Sequence, residues 1–165
     1  MAIQPAQPLP DATFKIKTDK GIEDISVRDL CTGKTVVIFA VPGAFTPTCH
    51  RQHLPAFLEK LDELKAKGVD TVACVAVNDP FVLDAWAEAS GARGKILMLS
   101  DGNATFTRAI GMDFDGSAVG LGIRSKRYAM LVRDGVVEAL FVEESPGQCT
   151  VSRPDPILEF LEKHG

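Results

Sequence analysis

The chain has no C-x-x-C pair, no block of lysines and arginines, no internal repeat and no apolar run long enough to cross a bilayer. Each absence removes a class of protein. A dithiol reductase needs a second cysteine three positions after the first, and Gln52 stands there instead. With a formal net charge of -4 and no basic cluster, nucleic acid and anionic membrane surfaces are poor partners. No stretch can serve as a helical membrane span. The opening residues, MAIQPAQPLPDATF, lack the charged start and apolar core of a signal peptide, which points to a cytoplasmic protein. Its four cysteines (Cys31, Cys49, Cys74 and Cys149) are scattered, so they do not read as a disulfide framework.

What is present reads as one α/β unit over residues 1–165, a length that can bury a core without staples. Residues 12–18 alternate apolar and polar as a half-buried strand does, and 24–27 read as its hairpin partner. A short helix at 27–33 is closed by Gly33. Residues 34–41, KTVVIFAV, form a β-branched apolar run, as in a strand buried on both faces. Leu54, Phe57, Leu58, Leu61 and Leu64 recur at helical spacing and predict one helix over 53–68. Further strands are expected at 70–77 and 95–101, with helices at 79–90, 104–112 and 155–163. Asp134-Gly135 marks a hairpin within 127–144. Alternating strands and helices with a closing hairpin predict a mixed sheet flanked by helices on both faces.

The stretch VPGAFTPTCHRQHLP, residues 41–55, sits where a central strand gives way to a helix, the usual place for an α/β active site. With Thr46 as N-cap, Pro47 takes the first helical position and Cys49 the third. The Thr46 hydroxyl can then accept the Cys49 N–H and keep its own proton free for the sulfur or a substrate. Helix starts and nearby cations bring a cysteine from its ordinary pKa down to roughly 3.5–7.5. Pro55, further inside the helix, removes a hydrogen bond and predicts a kink.

A reactive thiolate suits several chemistries. Cys49, His50 and His53 lie close together, but no carboxylate or second cysteine joins them locally, so no metal site is expected. A tyrosine phosphatase would need arginine six residues after its cysteine, and position 55 is proline. A cysteine hydrolase, with a histidine beside the thiolate, stays open. So does a binding or chaperone module without chemistry, using 79–90 and the aromatics Phe45 and Phe81 as a surface.

P-x-x-x-T-x-x-C within PGAFTPTC resembles the active-site motif of peroxiredoxins. VNDPFVLDAWA and LGIRSKRYAMLVRDGVVEALFVE extend the resemblance, to the type-5 (type II) subfamily, over nearly the whole chain. The resemblance implies a thioredoxin-like fold, with the N-terminal hairpin as an addition. It implies reduction of hydrogen peroxide and alkyl hydroperoxides, without a cofactor. Cys49 matches the peroxidatic cysteine, which becomes sulfenic acid. Thr46 matches the residue that contacts sulfur and peroxide, and Pro42 the one that shields the sulfur from water. The backbone N–H groups of Thr48 and Cys49 match peroxide-holding donors, and Arg127, before Tyr128, matches the active-site arginine. Arg124 and His53 are further candidates beside the substrate.

The resemblance also implies a homodimer and recycling by glutaredoxin/glutathione or thioredoxin. Cys149 lies two residues before the resolving position of animal-type members, which falls on Val151. Cys74 matches a second cysteine of plant-type members. Both are candidate resolvers, Cys74 from a strand that reads as buried. Cys31 carries no motif and reads as packing.

Overall fold

In the computed structural model, which describes residues 2–164, strand β3 (Thr35–Val41) sets the architecture. Successive side chains of a strand point to opposite faces. Val37, Phe39 and Val41 enter one buried cluster, and Val36, Ile38 and Ala40 enter the other. A strand apolar on both faces must be covered on both, and it is.

The seven-stranded sheet has the order β2-β1-β5-β4-β3-β8-β9. Its strands are β1 (Thr13–Thr18), β2 (Gly21–Ser26), β3, β4 (Thr71–Ala76), β5 (Leu97–Ser100), β8 (Tyr128–Arg133) and β9 (Val136–Val142). β3, β4 and β5 run parallel, while β8 and β1 flank them antiparallel, so the sheet is mixed as expected. One face carries α2 (Leu54–Glu59), α3 (Leu61–Ala66), α4 (Pro80–Ser90) and α6 (Pro154–His164). The other carries α1 (Val27–Cys31) and α5 (Thr105–Ala109). Phe39 and Phe57 stack with ring centroids 4.1 Å apart at the centre of the first face. Truncating such a buried aromatic costs about 3–5 kcal/mol.

Asp134 and Gly135 both have positive φ, 49° and 80°, which gives the tight turn expected between β8 and β9. The single helix expected over 53–68 is bent instead. Lys60, at φ -98° and ψ 6°, separates α2 from α3. Lys60 N–H still reaches Ala56 and Leu64 N–H still reaches Lys60, so the helix bends without ending. The bend keeps Leu54, Phe57, Leu61 and Leu64 against the sheet. The reading also missed a two-stranded ribbon, β6 (Asp113–Asp115) with β7 (Ile123–Ser125), whose strands are too short to show a period. At α5 the cap comes from an unexpected place: Asp101 accepts the N–H groups of Phe106 and Thr107.

Candidate active site

β3 ends at Val41, and the buried pair Pro42–Gly43 turns the chain back over the sheet. Gly43 lets Arg124 approach closely, because a Cβ there would lie 2.6 Å from its Nη1 and displace the guanidinium. Ala44 N–H donates to Asn78 Oδ1 at 2.9 Å, which ties the turn to the end of β4. Phe45 adopts a left-handed backbone (φ 64°), uncommon for a residue with a side chain, and stays 49% exposed at the rim.

The helical run begins at Pro47, the first helical position expected from the sequence, but without a side-chain cap from Thr46 among the described residues. Its turn Cys49–His53 is π-helical, and Leu54 N–H donates to Cys49 C=O. Pro55 has no N–H to continue an α ladder, so the expected kink takes the form of a wider turn. Cys49 and His53 both point into the core at 0% exposure, while Arg51 and Gln52 face out.

Arg127, just before β8, is buried to 2% exposure and donates from Nη2 to Cys49 Sγ at 2.9 Å. The same guanidinium donates from Nε and Nη2 to the Pro146 carbonyl at 3.1 and 3.0 Å. Its Nη1 lies 2.9 Å from His53 Nδ1. Arginine cannot accept, so Nδ1 is the acceptor, and Nε2 carries the proton toward the Ser152 carbonyl, 2.9 Å away. Burial first, then the Arg127 charge, push the His53 pKa down to about 3. His53 is therefore a neutral prop for Arg127.

This arrangement corrects several expectations. The Thr46 hydroxyl donates to the Gly43 carbonyl at 2.7 Å, so its proton is not free, and the described residues show no hydrogen bond from the Cys49 N–H to it. What Thr46 can offer a ligand is oxygen lone pairs. His53 does not face substrate, because both ring nitrogens are occupied. Arg124 donates from Nη1 to the Pro42 carbonyl and from Nε to the Leu121 carbonyl. It braces the Pro42–Gly43 turn, with no hydrogen bond to Cys49 among the described residues. Thr48 donates its hydroxyl to the Gly147 carbonyl at 3.1 Å. His50 accepts from Trp86 Nε1 at 3.0 Å. Among the described residues neither flanking histidine is hydrogen-bonded to the Cys49 sulfur. The described partners of His53 Nδ1 and Nε2 and of His50 Nδ1 are protein groups.

All four cysteines are free. Cys74 is fully buried in β4, opposite Phe39 in register, and shares a core cluster with Cys49. Burial, then charge on Cys49, raises its pKa well above the ordinary thiol value. As a poor source of thiolate, it is a poor resolver. Cys149 is buried at 8% exposure in the strap of residues 144–152 that lies over Arg127, and burial raises its pKa as well. Cys31 is pushed by burial up to about 11, as a packing residue would be.

The sequence reading missed the strap's role altogether. Pro146 and Gly147 act through backbone carbonyls, which no side-chain pattern reveals. Glu143 accepts hydrogen bonds from Thr150, Val151 and Ser152, at a spacing that matches no helix or strand period.

On a mixed sheet covered by helices on both faces, the site sets a buried cysteine 2.9 Å from a buried guanidinium, with no C-x-x-C in the sequence and no histidine hydrogen-bonded to the sulfur among the described residues. The Redoxin family model matches residues 4–158, and the chain belongs to that family as a peroxiredoxin. It is 50% identical over 158 residues to Peroxiredoxin-2E-2, chloroplastic, of Oryza sativa subsp. japonica, covering 93% of this chain and 70% of the relative. It is 44% identical over 157 residues to Peroxiredoxin-2E, chloroplastic, of Arabidopsis thaliana, covering 93% and 67%. Among solved structures, reduced Prx3 of Vibrio vulnificus in complex with hydrogen peroxide superposes with a TM-score of 0.91 at 50% identity, covering 96% of this chain and 99% of that one. These findings bear out the expected fold and peroxidase activity. They overturn the cytoplasmic location, since both plant relatives are chloroplastic proteins.

Proposed function

We propose that the chain is a type-5 peroxiredoxin in which Cys49 reduces hydrogen peroxide and alkyl hydroperoxides. The Cys49 thiolate attacks the terminal O–H oxygen of the peroxide. An S–O bond forms as the O–O bond breaks, the departing oxygen takes the electron pair and a proton, and water or an alcohol leaves Cys49 as sulfenic acid. The observation that carries this reading is Arg127 Nη2 at 2.9 Å from Cys49 Sγ, both side chains buried. The guanidinium directs an N–H donor at the sulfur. The fork of donors also suits the oxygen on which charge develops. Thr46 supplies lone pairs to the peroxide O–H, the Thr48 and Cys49 N–H groups hold the peroxide, and Pro42 keeps water from the sulfur. The hydrogen peroxide bound to the Vibrio relative supports the substrate class.

The sulfenic acid condenses with an external thiol to a mixed disulfide and water, and a second thiol releases Cys49. Glutaredoxin/glutathione or thioredoxin supplies these thiols. Cys49 alone is indispensable, with Cys149, on the strap, the better placed candidate if a resolver exists. Residues 1–165 act as one unit that pairs with a second copy through the exposed apolar rim of Phe45 and Phe81.

The test is the mass of the protein after one equivalent of hydrogen peroxide. One added oxygen on Cys49, or a disulfide through it, is expected, and Cys49→Ser abolishes turnover. Full activity in that variant would overturn the reading.

A further inference from the structure

We propose that Glu143 is a positioning residue of this peroxidase, clamping the 144–152 strap so that the strap holds Arg127 against Cys49. The inference rests on the peroxidase reading, and it concerns a side chain that touches no reacting atom.

The clamp is dense. Glu143 Oε2 accepts the N–H groups of Thr150, Val151 and Ser152 at 2.8, 2.9 and 2.7 Å, and the Ser152 hydroxyl at 2.6 Å. Oε1 accepts the Thr150 hydroxyl at 2.9 Å. Three consecutive N–H groups converging on one carboxylate oxygen make a nest for negative charge. The backbone of Glu143 is keyed to the site as well, since its N–H donates to the Arg127 carbonyl at 2.9 Å.

The other side of the strap faces the active site. Pro146 C=O takes two of the guanidinium's N–H groups, Ser152 C=O takes the proton of His53, and Gly147 C=O takes the Thr48 hydroxyl. Every strap acceptor named here is a backbone carbonyl, which has no preferred place unless the backbone is fixed. Glu143 fixes it. A glutamine there removes the negative charge from the nest and puts an N–H₂ where Oε1 accepts the Thr150 hydroxyl.

Burial alone would raise the Glu143 pKa, but hydrogen bonds from Ser152 and Thr150 outweigh it and hold the carboxyl at about 2. The clamp is therefore ionised throughout the neutral range. Its charge reaches His53 and the Cys149 thiol, which also feel the charges of Arg127 and Arg153.

The experiment compares wild type with Glu143→Gln, Glu143→Asp and Thr150→Val. It reads kcat/KM for hydrogen peroxide and the pH profile of Cys49 alkylation by iodoacetamide, well below each variant's melting temperature. Glu143→Gln is expected to lose about tenfold in kcat/KM and to shift the alkylation profile to higher pH as Arg127 loosens. Glu143→Asp, which keeps the charge, recovers most of both. Thr150→Val, which removes one donor, shows a drop of about twofold in the same direction.

Wild-type kcat/KM and alkylation profile in Glu143→Gln, with only a lower melting temperature, would overturn the proposal and leave Glu143 a structural residue. If Glu143→Gln does not fold, Thr150→Val and Glu143→Asp decide by the same two readouts. A wild type without peroxide turnover would sink the peroxidase reading, and the alkylation profile would still decide the clamp.

Discussion

Residues 41–55 and residues 143–152 meet over the same sulfur, but they work by different means. The first segment acts through side chains and residue types: prolines, a glycine, a threonine and the cysteine itself. The second acts through three backbone carbonyls, fixed by one carboxylate. Arg127 stands between them, donating to Cys49 in the first and to Pro146 in the second. A site of this kind divides chemistry from positioning, and the two halves should fail differently.

The largest expected effect breaks the link itself. Arg127→Gln removes the charge on the sulfur while keeping a polar side chain. Losing a preorganised charged donor of this sort costs about 10²–10³ in rate. Stopped-flow oxidation of Cys49 by hydrogen peroxide measures it, and a loss under about threefold would show that the guanidinium is incidental.

Acid comes next, because both segments hold a group whose folded pKa is depressed. His53 is held at about 3 against an ordinary 6.5, so below pH 6.5 the unfolded chain binds a proton that the folded chain refuses. Stability contributed by neutral His53 is present above that pH and is lost toward pH 3, by about 1.4 kcal/mol per pH unit. Glu143, at about 2 against 4.5, adds stability present above pH 4.5 that is lost as pH falls toward 2. Urea unfolding across this range should show stability falling from near pH 6.5 downward, with the upper part of the slope absent in His53→Asn. A flat profile from pH 6.5 to 5 in the wild type would contradict the neutral-prop assignment of His53.

Thr46→Val sharpens the first segment alone. It removes the lone pairs offered to the peroxide O–H, and it also frees the Gly43 carbonyl. A loss of about tenfold in kcat/KM is expected, the worth of one hydrogen bond beside a buried sulfur. The smallest effect is Cys74→Ala. Turnover should stay within about twofold of wild type, with only a modest loss of stability from the small cavity in β4. Loss of turnover there would assign Cys74 the resolving role that its burial argues against.

The same contrast explains what could be read in the sequence. β3, the Cys49 turn and the β8–β9 hairpin were legible because periodicity, proline position and the Asp134-Gly135 pair carry local physics. Arg127 was legible only through resemblance, since nothing in RYAML alone distinguishes it from a surface cation. The Thr46 hydroxyl was misassigned because its rotamer is decided by the Gly43 carbonyl, which only the folded turn brings near. His53 and Arg124 are placed beside substrate by resemblance, whereas burial and carbonyl partners give them bracing roles. The strap left no trace, because carbonyls belong to every residue.

The measurement that tests the division most directly is a double-mutant cycle on Glu143 and Arg127, read as the rate of Cys49 oxidation by hydrogen peroxide. If the strap acts on the chemistry through Arg127, then Glu143→Gln costs about tenfold in the wild type and almost nothing once Arg127 is glutamine. The double variant should react within about twofold of Arg127→Gln alone. A double variant about tenfold slower than Arg127→Gln, with the two losses multiplying, would contradict the account.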